Sequence, residues 1–352
     1  MIGSDRALSI NMIAVPLLAL AALTALCYFA APVLVPLVTA ITLAYMLWPA
    51  IALLKRLKVP HVLAVIIVML LLALVMFFVG MMIYGEGKDF ANRLPGYWEK
   101  FQELRIGWVE SYPWLSETLL PAQAENMFDQ IDVKQLSVVP AYLFKLTGGA
   151  LSFFGQLILI LLLTLFILIE QQGLTRRLRR AMGSETEGTT TELVAQVSRQ
   201  LAGYIQVRAV TTLGLAVIFT LGLVIGGVSY AYVWGPLAAL LNLIPYVGAF
   251  IGAIPPMIMA AIEAGSFMPM LWVFGFFMLV QFFESNVITP KLLGDQLNIS
   301  LLAQLLATIF WGWLWGAIGI VLAVPITAAL KVVCDHIEPL KPIGILLSGD
   351  KH

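Results

Sequence analysis

Apolar blocks close to twenty residues long recur along this chain, and that recurrence constrains the fold more than any other feature. A helix needs about 20 mainly apolar residues to cross about 30 Å of hydrocarbon, and only helices or closed barrels satisfy their backbone hydrogen bonds there. The blocks run from Ile10 to Ala31, from Pro32 to Leu54, from Val62 to Tyr84, from Leu151 to Ile169 and onward from Ala209, and they continue through the last third. Soluble domains average about 25% charged residues, whereas this chain of 352 is 61% hydrophobic and 11% charged. The expectation is an all-α, polytopic helical membrane protein of about eight helical segments, with broken or re-entrant helices in the C-terminal third.

The same composition excludes other classes. A net charge of zero leaves no electrostatic footprint for nucleic acid. Cys27 and Cys334 lack the paired spacing of a zinc or redox site, and His61, His336 and His352 stand at block ends or at the terminus, so no metal or cofactor is expected. No phosphate loop, nucleophile elbow, paired-histidine helix or dinucleotide fingerprint occurs, which argues against an enzyme and against an ATP-driven pump.

Charge is confined to a few places, and those places set the organisation. The segment 85–146 is polar, with nine acidic and six basic residues between Gly85 and Lys145, too many for a bilayer. Trp98, Phe101, Leu104 and Trp108 give it helical spacing, so short amphipathic helices broken at Pro95, Pro113, Pro121 and Pro140 are expected. Basic clusters follow the second block (Lys55, Arg56, Lys58) and the fourth (Arg176, Arg177, Arg179, Arg180). The positive-inside rule puts both clusters in the cytoplasm, with both termini inside and 85–146 in the periplasm. Arg6 is the one basic residue ahead of the first block and another apolar block follows, so a removable signal peptide fits poorly. Thr189 and Glu192 form a capping box, followed by an apolar stripe of Leu193, Val197, Leu201 and Ile205. The resulting division is three transmembrane helices in 1–84, a helical insert in 85–146, a transmembrane helix in 147–170, a cytoplasmic amphipathic segment in 171–208, a transport bundle in 209–334 and a cytoplasmic tail in 335–352.

The last third resists a simple helix count. Pro236 to Ile262 is interrupted by Pro245, Gly248, Gly252, Pro255 and Pro256, and Leu301 to Val333, about 50 Å if straight, by Gly312, Gly316, Gly319 and Pro325. Trp234-Gly235 precedes Pro245 much as Trp315-Gly316 precedes Pro325, which hints at an internal repeat. Paired interrupted segments are a pointer to a transporter's binding site, because broken backbone at membrane depth must line a cavity or be buried.

Polar groups inside apolar runs are the functional candidates, since a charge there costs about 2.5–3.5 kcal/mol on insertion scales. Glu284 heads them, one turn from Gln281 and ahead of Asn286 and Pro290; it either couples a proton or cation to transport or is a span-end carboxylate, solvated or paired with Lys291. Asn242, three residues before Pro245, either contacts a ligand or serves the carbonyls the proline frees. Gln304, Trp311 and Trp313 are secondary candidates, equally suited to helix packing or a membrane-interface belt. Glu170 and Glu263 read as solvated helix ends, and Gly222 to Gly226, Gly248 to Gly252 and Gly312 to Gly316 as close helix contacts within one bundle.

Several runs taken in order resemble the autoinducer-2 exporter family of bacterial membrane transporters. They are Val233-Trp234-Gly235, Leu240 through Gly248 with Asn242 and Pro245, Ile254-Pro255-Pro256, Glu284 through Lys291, Phe310 through Trp313, and Val324-Pro325 to Lys331. Val59-Pro60 with Leu63-Ala64-Val65, and Ile345 through Ser348, extend the resemblance over nearly the whole chain, nearest the quorum-signal exporter branch; Tyr246 and Ala249 depart from it. The resemblance implies a secondary transporter of the bacterial inner membrane that assembles as a homo-oligomer and exports a small molecule such as autoinducer-2. Some members are associated with sodium or lithium exchange against protons, which is the alternative within transport; a non-transporting membrane scaffold is the alternative of another class.

Overall fold

The computed structural model describes residues 18–19, 21–111, 150–181, 183–244, 247–293 and 299–349. Among them the regular elements are helices: α1 (Ala31–Arg56), α2 (His61–Ser111), α3 (Ala150–Ala181), α4 (Gly183–Ile225), α5 (Ala231–Leu241), α6 (Gly248–Ala264), α7 (Met268–Phe283), α8 (Thr289–Leu293), α9 (Leu301–His336) and α10 (Lys341–Leu347). Six stretches are long and apolar enough to cross a membrane: Ala31–Arg56, His61–Gly107, Phe153–Gln171, Ser198–Ile225, Met268–Leu292 and Leu301–His336. The all-α, polytopic expectation therefore holds. Most of their large side chains face outward, as Phe77, Phe78, Leu213 and Phe282 do, which suits a surface solvated by lipid rather than water.

Two compact units divide the chain. One comprises Pro49–Ile158 and Gly203–Gln296. Its core joins Leu215, Phe219 and Leu223 of α4 to Ala238 and Ala239 of α5, Ala253 and Met259 of α6, and Val273 and Phe277 of α7. Phe219 and Phe277 stack with ring centroids 4.3 Å apart. The Gly222 to Gly226 motif packs within this bundle: a β-carbon at Gly222 would stand 2.1 Å from the Phe276 ring, and one at Gly226 2.5 Å from Trp272. Helices α5 and α6 form a hairpin in which a β-carbon at Gly252 would reach within 2.9 Å of Ala238 Cα. With 11 residues α5 falls short of a full crossing, and α6, with 17, stands at the lower bound of one.

The other unit comprises Met1–Trp48, Leu159–Ala202 and Leu297–His352. Thr164 of α3 is fully buried and donates to Ile160 O at 2.7 Å and to Ala40 O of α1 at 3.4 Å. Ser300 caps α9 by accepting from Ala303 N at 3.1 Å. The 36 residues of α9 do not run straight. Gly316 adopts φ 65 and ψ −146, a conformation open essentially to glycine, and 317–336 folds back on 301–315. A β-carbon at Gly312 would stand 2.8 Å from Ile320 Cγ1, and one at Gly319 1.9 Å from Trp311 O; in a straight helix residues eight apart lie about 12 Å apart.

Three expectations change. Pro95 lies inside α2, which continues 51 residues from the third apolar block into the polar insert; Pro95 is on an exposed face, where the carbonyl it leaves without an intrahelical donor can turn to solvent. Pro113, Pro121 and Pro140 lie outside the described residues. Helix α4 starts at Gly183, ahead of the Thr189 and Glu192 pair. The repeat hint fails, because Trp234-Gly235 lies within α5 whereas Trp315-Gly316 forms a hairpin turn.

Candidate functional site

The site is built where a helix widens. After Phe283 the chain forms a π-turn, Glu284–Ile288, in which Thr289 N donates to Glu284 O five residues back. Pro290 has no N–H to give Asn286 O, and Asn286 turns its own Nδ2 to Phe282 O at 2.9 Å; such turns recur at functional sites. The widening places Ser285 and Thr289 beside the same carboxylate.

Glu284 is 3% exposed, and its two oxygens accept four side-chain donors. Oε1 takes Arg208 Nη1 at 3.2 Å and Thr289 Oγ1 at 2.7 Å. Oε2 takes Gln281 Nε2 and Ser285 Oγ, each at 3.2 Å, and Gln281 Nε2 also reaches Ser285 Oγ at 2.9 Å. Arg208 Nη2 donates to the carbonyl of Asn242, the residue that ends α5. One guanidinium thus bridges a buried carboxylate and the C-terminal carbonyl of a short helix. A buried charge is tolerated when it is paired and hydrogen-bonded. Among the described residues, Asn242 Nδ2 and Gln281 Oε1 are buried without a partner, leaving one donor and one acceptor beside the pair.

The structure brings together Asn242, Gln281 and Glu284 and disperses the other candidates. Gly248 packs against the Leu241 carbonyl at the hairpin break, Pro256 is buried within α6 and Pro255 is half-buried. Asn286 and Pro290 face outward, and Pro245 lies outside the described residues. In the other unit Gln304 Nε2 folds back to Ile299 O at 3.3 Å, Trp311 is buried in the α9 hairpin and Trp313 is exposed. Glu284 pairs with Arg208 rather than Lys291. Glu263 accepts from Ser229 N at 3.0 Å, fastening the turn before α5. Lys331 is buried and paired with Asp335 at 2.6 Å.

Arg208 is a functional residue that the sequence candidates did not include. The signal was present: Arg208 follows Leu201 and Ile205 at helical spacing, so it continues the apolar stripe into the stretch Ser198–Ile225.

An all-α chain with six helices among its described residues able to cross a bilayer, and a charge pair hydrogen-bonded inside one of its bundles, is a polytopic integral membrane protein. It belongs to the AI-2E transporter family, whose model, described as AI-2E family transporter, matches residues 17–338. The chain is similar to the AI-2 transport protein TqsA of Escherichia coli (strain K12), 27% identical over 320 residues, covering 91% of this chain and 90% of that protein. It is also similar to YhhT of the same strain, 27% identical over 321 residues with 90% and 88% covered, and to YueF of Bacillus subtilis (strain 168), 26% identical over 311 residues with 84% and 82% covered. The family is one of transporters, and membrane transport is this chain's role.

Proposed function

We propose that the chain is a secondary transporter of the bacterial inner membrane that exports a small signalling molecule of the autoinducer-2 type. Its pathway runs past the break between α5 and α6 and along the face of Gln281 and Glu284, with Asn242 as a ligand contact and Glu284 as the coupling carboxylate. Both termini lie in the cytoplasm, 85–146 lies in the periplasm, and the protein works as a homo-oligomer. The observation that carries the reading is the buried Glu284 cluster at a broken helix, with a buried donor on Asn242 and a buried acceptor on Gln281 that have no partner within the described residues. Similarity to a protein named for autoinducer-2 transport supports the substrate class. The test is flux of autoinducer-2 from proteoliposomes holding the full chain. Glu284→Gln is expected to lower the rate at least about tenfold or to remove its pH dependence; transport at the parent rate with an unchanged pH profile defeats the coupling role.

A further inference from the structure

We infer that Arg208 is a built-in cation that occupies the place where a transporter of this construction would bind sodium, so that no metal cation is needed to fill this site. Three features of the cluster carry this. First, the oxygens assembled here are those a hard monovalent cation uses: a buried carboxylate, the hydroxyls of Ser285 and Thr289, and the carbonyl of Asn242 at the C-terminal end of a short helix. Unwound carbonyls and the negative ends of half-helices are the cation-coordinating groups of broken-helix transporters. Second, the guanidinium already spans the two strongest of these, with one nitrogen on Glu284 Oε1 and the other on Asn242 O. Third, a carboxylate offers about four acceptor positions, and the donors on Glu284, from Arg208, Thr289, Gln281 and Ser285, fill them. A sodium ion could enter only by displacing the arginine, which is anchored on α4. The guanidinium and the carboxylate balance each other's charge at the site.

The inference deepens the reading of this cluster as the coupling site and rests on it for its functional meaning, because it removes a metal cation from the ions that could be coupled there. It also counts against sodium/proton exchange through Glu284. It predicts a latent site: with the guanidinium gone, the same oxygens should hold sodium or lithium.

The experiment is a thermal melt of the purified full chain in detergent, in sodium, lithium and choline chloride at matched ionic strength. The parent and Arg208→Lys, which keeps a tethered cation, are expected to melt at the same temperature in all three salts. Arg208→Gln is expected to melt about 5 °C higher in sodium or lithium than in choline, and the double variant Arg208→Gln/Glu284→Gln to lose that difference. A sodium-specific shift in the parent that Glu284→Gln abolishes overturns the inference, as does a monodisperse Arg208→Gln with no cation-specific shift. If Arg208→Gln does not fold, the parent and Glu284→Gln arms still decide. Because the readout needs no transported substrate, failure of the export reading leaves it standing, and a sodium response in the parent would leave export intact.

Discussion

Two interrupted apolar stretches in the last third of the chain are held in opposite ways. Helix α5 ends at Leu241 and α6 begins at Gly248, and an arginine from α4 takes up the carbonyl of Asn242. The hairpin inside α9 closes through the single residue Gly316 and is lined by Ala307, Trp311, Leu314 and Ala323. A longer break frees more backbone groups, and in hydrocarbon each unsatisfied one costs several kcal/mol; a charged donor meets that need only if a carboxylate balances it. The ion pair of Arg208 and Glu284 thus serves the Asn242 carbonyl at the first break, whereas the second is satisfied by shape. Paired charge resides at the first hairpin and apolar packing at the second.

Removing the carboxylate should break this contrast most sharply. Glu284→Ala leaves the Arg208 guanidinium without its counter-charge, and taking one partner from a buried pair costs about 3–5 kcal/mol. The expected result is a lower melting temperature together with lost flux. Arg208→Gln/Glu284→Gln, in which both charges are gone, should regain most of the stability and none of the coupled flux. A Glu284→Ala protein as stable as the parent would show that the first break is held by packing after all.

Two glycines test the hairpins against each other at a smaller cost. A β-carbon at Gly319 would lie 1.9 Å from the Trp311 carbonyl, and one at Gly248 1.9 Å from the Leu241 carbonyl. Both neighbours are backbone, so the helices must separate, at about 1–3 kcal/mol each. Gly319→Ala is expected to lower the melting temperature while flux per folded molecule stays at the parent level. Gly248→Ala should lower both, because the displaced residue adjoins Asn242 and the Arg208 bridge. Equal losses of flux in the two variants would erase the functional difference between the hairpins.

The degree to which this was legible in the sequence differed by kind of signal. Apolar blocks read well because hydrocarbon imposes both length and composition on a crossing helix. Glu284 and Asn242 stood out because a polar group in an apolar run must be satisfied somewhere. Arg208 did not, since it sits at the block boundary where a basic residue ordinarily means solvent; its partners come from 34 and 76 residues away, a separation that local pattern cannot register. Pro95 misled for the converse reason: a proline's cost depends on whether the carbonyl behind it can reach water, and that is fixed by the exposure of the face, not by the residue. The fold-back at Gly316 was visible only as an overlong stretch rich in glycine, because φ is not written in composition.

The smallest expected effect concerns the entrance of the first hairpin. Tyr230 precedes α5 with φ 58, and its hydroxyl donates to Asp89 Oδ2 of α2 at 2.8 Å, with Tyr97 Oη 3.5 Å away. Asp89 is half-exposed and also paired with Arg93 at 3.0 Å, so water can replace the lost donor and Tyr230→Phe should cost only about 1 kcal/mol. The pH dependence is the sharper test. Burial first, then the hydrogen bonds to Tyr97 and Asp89, raises the Tyr230 hydroxyl above its ordinary value. The folded chain therefore keeps a proton that the unfolded chain releases above about pH 10. Folded protein binding more protons than unfolded means that stability is level below that pH and falls as pH rises beyond it. Tyr230→Phe should remove this part of the alkaline decline, read as melting temperature against pH, while leaving neutral-pH flux near the parent value. If the variant's alkaline slope matches the parent's, the hydroxyl does not anchor the hairpin to α2, and the charge pair at the break is left to position α5 without it.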